Sequence, residues 1–391
     1  MGVGILTVNV GSSSLKLGVF ATQPEHTESV IEVTITDIGQ PLSRMKVAWG
    51  DERSETQQQI AHHEAAVAIG LAELERAQEL QHIGGIGVRV VHGGGRYYQP
   101  TVIDDEVLTV LQELIPIDPE HMPVILKVIR SFRERLPGVT QVACFDTGFF
   151  HEIPQVAQIV PVPAAYREQG LRRYGFHGLS YEYILGEFER VAGETAAHGR
   201  VVVAHLGSGA SLAVMKDGKP IDMTMGFSPV SGIPMSTRTG DLDPSAVIYL
   251  AHLGVGIEDY TQLINKQSGL LGVSGLSADM LLLLDSEGSH AGAHAAVELF
   301  CYGVRKAIGS LSAAAGGIDS LIFSGGIGEH APRIRRRVCE GLAHMGMTLD
   351  ESRNQQHLER ISAEQSRVGV HVIPTDESHI LRRSVIEIME M

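Results

Sequence analysis

Two short stretches constrain the fold of this chain more than any other feature, because one echoes the other. The first is Val8-Asn9-Val10-Gly11-Ser12-Ser13-Ser14-Leu15-Lys16, and the second is His205-Leu206-Gly207-Ser208-Gly209-Ala210-Ser211-Leu212. Each follows an apolar run and precedes an alternating one, so each reads as strand, tight Gly/Ser turn, strand. Small residues at such a turn let backbone N–H groups approach a phosphate with no Cβ in the way. Hydroxyls and Lys16 add donors and charge. Two copies in one chain point to two like domains gripping one polyphosphate.

The length fits that reading. At 391 residues the chain exceeds one ordinary core, and two domains are expected. A formal net charge of -15 argues against a duplex-binding surface, which needs a concentrated basic stripe. The one dense basic run, Arg333 to Arg337, reads as the solvated face of a helix. Cys144, Cys301 and Cys339 form neither a CxxC pair nor a disulfide framework, which fits a reducing cytoplasm. Cys144 reads as a small buried hydrophobe. No apolar run approaches the roughly 18 residues of a membrane span, and no signal peptide is evident. No HExxH, Cys/His cluster or EF-hand loop marks a metal site. Neither nucleic acid nor a membrane is therefore expected among its partners.

Strands are expected at 3–9, 15–20, 30–35 and 44–49, then a helix over 57–80 and a buried strand from Ile86 into Gly93-Gly94. Helices over 104–115 and 121–135 lead to a strand, Gln141 to Phe145, that ends at Asp146-Thr147-Gly148. After about residue 150 the pattern restarts, with a helix behind His177 and strands at 201–205, 211–216 and 219–224. Helices over 244–253, 259–267, 277–285 and 290–315 follow. The strand Leu321 to Ser324 then runs into Gly325-Gly326-Ile327-Gly328, an ending that parallels Phe145 to Gly148. This is an α/β chain with mixed sheets, read as a duplicated fold with a cleft.

Eight segments together, NVGSSSLK, RVVHGG, FDTGF, RRYGFHG, HLGSGAS, STRTGDLDP, GGIGEH and IPTDES, resemble the acetate kinases and their propionate-kinase relatives, in that family's order and over nearly the whole chain. The resemblance implies the actin-like ATPase superfold. It predicts a ribonuclease-H-like domain over 1–150, with the last helix (377–391) packing back on it. A nucleotide-binding and dimerising domain over 151–376 completes the chain. It also implies reversible, in-line transfer of a phosphoryl group from ATP to acetate, or to propionate or butyrate, with Mg²⁺ (Mn²⁺ as the alternative), in a cytoplasmic homodimer. An actin-like ATP switch and an impaired sensor homologue are the more distant alternatives.

The residues suit that chemistry. A carboxylate nucleophile is already ionised at neutral pH, so the obstacle is repulsion between two anions, which positive charge and positioning overcome. By resemblance Arg89 and Arg238 are the active-site arginines, although from local sequence Arg238 is equally placed to pair with Asp241 or Asp243. Asp146, at a strand end, orients the carboxylate and helps to place magnesium. Glu377, which unaided reads as a first-turn acid of the last helix, joins Asn9 at the metal. His177 and His205 donate to the transferring phosphate. Asn9, Ser12, Ser14 and Lys16 line the first turn. Gly207, Ser208, Gly209, Ala210 and Ser211 hold phosphates, and Gly325, Gly326, Ile327, Gly328 and Glu329 approach the adenosine. Arg89, Val91, Ile117, Phe176 and Pro229 form the acyl pocket. The chain departs from the family at Ser208 (usually Asn), Tyr181 (usually His) and His330 (usually Asn). Ile117 to His121 differs from the usual LHNP, and Ser231 to Pro234 from the usual loop before Arg238.

Overall fold

The computed structural model describes residues 4–22 and 28–390. Residue 3 of the first expected strand, residue 391 of the last expected helix, and residues 1 and 2 lie outside them. The chain divides into two units, Met1–His151 with Asp376–Met391, and Glu152–Thr375.

The first unit is built on a mixed sheet of β1 (Gly4–Val10), β2 (Leu15–Ala21), β3 (Ile31–Thr36), β4 (Ser43–Trp49), β5 (Glu52–Gln58), β6 (Ile83–Val90), β7 (Thr101–Val102) and β8 (Thr140–Phe145). The strand order is β5-β4-β3-β2-β1-β6-β8-β7. β1 runs antiparallel to β2 and parallel to β6, which runs parallel to β8. The central strands are apolar almost throughout, as strands covered on both faces must be; in β1 only Asn9 is less than buried. Helices His63–Arg76 and Met122–Arg135 pack on the sheet and on each other, and helix Glu377–Met389 lies over β1, β6 and β8. A Cβ on Gly87 of β6 would stand 2.9 Å from the Leu381 carbonyl oxygen of that last helix. The helix sits this close only because the strand carries no side chain there.

The second unit repeats the plan with β9 (Val201–Leu206), β10 (Ala210–Lys216), β11 (Lys219–Met223), β12 (Ser320–Ser324) and β13 (Gly369–Val372), in the order β11-β10-β9-β12-β13. β9 is antiparallel to β10 and parallel to β12, which is parallel to β13. Helix Ala291–Ala315 covers β9 to β11. The five strands β3-β2-β1-β6-β8 and β11-β10-β9-β12-β13 thus have the same order and directions.

That correspondence corrects the expected internal match. β12 pairs with β9 as β6 pairs with β1. The turn Gly325 to Gly328 is therefore the counterpart of Val91 to Gly94, while Phe145 to Gly148 is matched by the chain after β13. Letter similarity at two glycine-rich strand ends misled the comparison. The expected helix over 57–80 also splits. Residues 52–58 form β5, whose seven residues are all exposed, and the helix begins at His63. β5 shows no apolar alternation because no core touches it; its pairing with β4 and the Arg44–Glu55 contact at 3.3 Å hold it.

The run Arg333 to Arg337 differs from its expected solvated face. Helix Pro332–Glu340 turns Arg335 inward with Ile334, Val338 and Cys339, and Arg335 is 0 % exposed. Its guanidinium donates to the carbonyls of Gly328 (2.8 Å) and Glu329 (2.7 Å) and to both oxygens of Asn354 (2.7 and 2.9 Å). Backbone carbonyls at the end of helix Gly325–His330 supply the negative field a buried cation needs. All three cysteines are buried and none forms a disulfide.

Candidate active site

In the first unit four residues far apart in sequence meet at the ends of adjacent strands. Arg89, on β6, donates Nε to both oxygens of Asp146 (3.0 and 3.1 Å) and Nη2 to its Oδ2 (2.6 Å). Nη1 donates to Asn9 Oδ1 at 3.0 Å. Asn9 Nδ2 donates to Glu377 Oε2 at 2.6 Å, and that oxygen stands 3.5 Å from Arg89 Nε. Asp146 is 1 % exposed. Burial works against the Arg89 charge, yet Asp146 and then Glu377 outweigh it and hold the guanidinium protonated. Burial pushes the Asp146 carboxyl upward, and the Arg89 fork opposes the rise. Such a fork is a geometry lysine cannot reproduce.

The rest of the first turn stands less close. Lys16 is the register partner of Asn9 but forms an ion pair with Glu32 at 3.0 Å. Ser12 is exposed and Ser14 half-buried. The turn is closed by the Gly11 N–H on the Ser14 carbonyl (2.9 Å), and His63 Nε2 lies 3.0 Å from the Gly11 oxygen. Val91 is buried two residues beyond Arg89. Ile117 adjoins a buried pair in which Asp118 Oδ1 accepts from the backbone N–H of His121 (3.2 Å) and lies 2.9 Å from its Nδ1.

In the second unit the β9–β10 turn closes through the Gly207 N–H on the Gly209 carbonyl, 3.1 Å. Around it two histidines are clamped by hydroxyls. His177 Nδ1 lies 2.9 Å from Ser211 Oγ, and Ser211 Oγ lies 2.6 Å from the Tyr181 hydroxyl. His205 Nδ1 lies 2.8 Å from Ser180 Oγ, which lies 2.7 Å from Thr375 Oγ1. The two imidazole centroids are 4.6 Å apart. His177 precedes helix Gly178–Ala192 with φ 61° and ψ 25°, a left-handed conformation that costs a non-glycine residue about 1–3 kcal/mol.

Arg238 comes from a loop pinned to that turn. The Ser236 N–H donates to the Ser208 carbonyl at 3.2 Å, and Thr237 Oγ1 donates to the Asn265 carbonyl at 2.7 Å. Arg238 Nη1 donates to the Pro229 carbonyl at 3.2 Å, while Asp241 and Asp243 accept from the backbone of Gly232 and Ser245. A Cβ built on Gly209 would stand 3.4 Å from His177 Nε2 and 3.5 Å from Arg238 Nη1. One small volume over Gly209 is thus flanked by an imidazole and a guanidinium. Phe176 is buried beside His177, and Pro229 beside Arg238.

At β12 the chain turns into helix Gly325–His330. Gly325 has φ 73°, and a Cβ there would lie 2.8 Å from the Leu206 carbonyl oxygen, so only glycine fits. Glu329 folds back, its Oε1 accepting from the N–H groups of Gly325 (2.8 Å) and Thr375 (3.3 Å). His330 stacks edge-on near His357, centroids 6.2 Å apart.

Asn9, Arg89, Asp146 and Glu377 therefore form one cluster, and His177, His205, Gly209, Ser211 and Arg238 another. Sequence reasoning missed His63, Ser180, Thr375 and Arg335. A lone serine, threonine or basic residue carries no local pattern that says which side chain it will meet. Only Tyr181, noted as a departure, offered a signal.

The family model described as the Acetokinase family matches residues 4–383. An acetate kinase of Rhodopseudomonas palustris (strain TIE-1) is 42% identical over 388 residues, 97% of each chain. The crystal structure of Porphyromonas gingivalis acetate kinase superposes with a TM-score of 0.87 at 33% identity, covering 99% of this chain and 100% of that one. A propionate kinase from Francisella tularensis gives 0.92 at 30% identity, covering 98% and 99%.

Proposed function

The chain belongs to the acetokinase family, and we propose from that premise that it transfers the γ-phosphoryl group of ATP reversibly to acetate. The end-to-end match to a relative named acetate kinase, 42% identical, carries the reading. The two clusters support it chemically. Attack by a carboxylate on a phosphate calls for fixed cations and donors. The Arg89 fork and the Arg238–His177 pair over Gly209 are groups of that kind.

In this proposal Arg89 and Arg238 neutralise charge on the acid and the transferring group. His177 and His205 donate to phosphoryl oxygens, and Asp146 fixes Arg89 and the attacking carboxylate. The turn from Gly207 to Ser211 holds phosphates, and Gly325 to Glu329 borders the adenosine. Val91, Ile117, Phe176 and Pro229 contact the acyl group. Two carboxylates and an amide, rather than a full protein cage, match the way Mg²⁺ is usually held together with phosphate oxygens. Asn9 and Glu377, with Asp146 beside them, would hold it, and Mn²⁺ is the alternative ion. When bound, the ion screens phosphate charge.

The proposal includes a cytoplasmic homodimer formed through the second unit. Its support is a set of apolar side chains there that are more than half exposed, namely Ile248, Tyr249, Leu253, Ile257, Leu281 and Tyr302. Three cysteines outside any disulfide agree with a reducing compartment.

The likeness to a propionate kinase makes the propionate alternative specific. One methylene in an apolar pocket is worth about 1–3 kcal/mol, so the acids must be ranked directly. Purified protein with ATP, Mg²⁺ and acids of two to four carbons, assayed as hydroxamates, should give the highest kcat/KM with acetate. A higher value with propionate or butyrate, or no acyl phosphate from any acid, refutes the assignment.

A further inference from the structure

We propose that Tyr181 is a positioning residue that sets, through Ser211, the tautomer of His177, so that the imidazole presents Nε2–H toward Gly209. This rests on the reading of His177 as a donor to the phosphoryl group. Tyr181 stands one helical turn beyond His177, its backbone N–H on the His177 carbonyl at 3.0 Å. Its hydroxyl lies 2.6 Å from Ser211 Oγ, and that oxygen lies 2.9 Å from His177 Nδ1. Tyr181 is 0 % exposed, Ser211 1 % and His177 9 %.

The direction of the two bonds follows from acidity. A phenol is a far stronger hydrogen-bond donor than an alkyl hydroxyl and a poorer acceptor. Burial pushes the Tyr181 phenol up, so it keeps its proton. Tyr181 therefore donates to Ser211, and Ser211 has one proton to pass on, to Nδ1. An imidazole accepting at Nδ1 carries its hydrogen on Nε2. Nε2 is the atom 3.4 Å from the Gly209 Cβ position, where Arg238 Nη1 also converges.

The clamp on His205 is built differently. Its Nδ1 meets Ser180, and Ser180 meets another alkyl hydroxyl, Thr375, so no phenol polarises that chain. A second proton on His177 would place N–H against Ser211 and force that hydroxyl to turn its own proton away from Nδ1. The neutral Nε2–H form is the one that lets Ser211 donate to Nδ1. His205 and Arg238 also face this ring, and the Arg238 charge disfavours a second cation beside it.

The test uses the full chain labelled with ¹⁵N-histidine, the His177 signals being assigned by their loss in His177→Gln. Long-range ¹H–¹⁵N spectra at pH 7.5 should show His177 as the Nε2–H tautomer with Nδ1 an acceptor. Tyr181→Phe should give a tautomer mixture and a kcat about tenfold lower, with the KM values for ATP and acid within about twofold. Tyr181→His should restore part of kcat. An Nδ1–H tautomer in the unaltered protein, or one unmoved by Tyr181→Phe, overturns the proposal. The first result needs no variant to fold. Full turnover by His177→Gln would instead refute the phosphoryl role, whatever the tautomer.

Discussion

Arg335→Met separates a buried structural cation from the solvated helix face that its sequence suggests. Four hydrogen bonds join Arg335 to the oxygens of Gly328, Glu329 and Asn354. At the low end of about 1.5 kcal/mol for each bond from a charged donor, they contribute roughly 6 kcal/mol. Against them stands the cost of burying the cation, which pulls the Arg335 pKa from 12.5 down to about 10. At roughly 1.4 kcal/mol per pH unit that cost is about 3 kcal/mol. Methionine removes both contributions while keeping most of the volume, so a net loss of about 3 kcal/mol is expected. For a body of about 200 residues this lowers Tm by about 6–12 °C, read by scanning calorimetry of the intact chain. Because Gly328 and Glu329 belong to the segment proposed to border adenosine, KM for ATP should rise more than KM for acetate. Arg336→Ala, on the exposed side of the same helix, should change stability by less than about 0.5 kcal/mol. A melting point for Arg335→Met within about 2 °C of the parent would refute the reasoning.

Arg89→Ala and Arg238→Ala should each lower kcat by roughly 10³-fold or more, and lysine at either site should recover little, since an ammonium lacks the planar array of donors, which at Arg89 forks on Asp146; a lysine variant within tenfold of the parent in the hydroxamate assay contradicts this. Burial pulls the His371 imidazole down to about 4, so the unfolded chain binds more protons than the folded one between that value and 6.5. The stability this contributes is complete above about pH 6.5 and fades as pH falls toward 4, by about 3 kcal/mol in all. His371→Phe should flatten that part of the curve of urea midpoint against pH, and parallel curves for parent and variant would dismiss the claim.

Much of the fold was legible because its signals are local. The hairpins around Gly11–Ser14 and Gly207–Gly209 announce themselves by apolar runs flanking small residues, and both form. β5 was illegible because a strand with no buried face carries no periodicity. β13 is four residues long, too short for alternation to register. The motif residues Asn9, Arg89, Asp146 and Glu377 could be quoted in advance, but not their bonding as one network, since nothing in the sequence relates positions 9 and 377. The clamps on the histidines were likewise hidden. Ser180 and Ser211 have meaning only once a helix and a strand bring their hydroxyls within 3 Å of the rings, and Tyr181 only once its hydroxyl reaches Ser211.

Helix Glu377–Met389 lies over β1, β6 and β8, strands that leave the ribosome long before it does. The amino-terminal sheet must wait, one flank bare above Gly87, while more than two hundred further residues are synthesised. The body made second is complete in sequence before the first, whose covering helix is made after it.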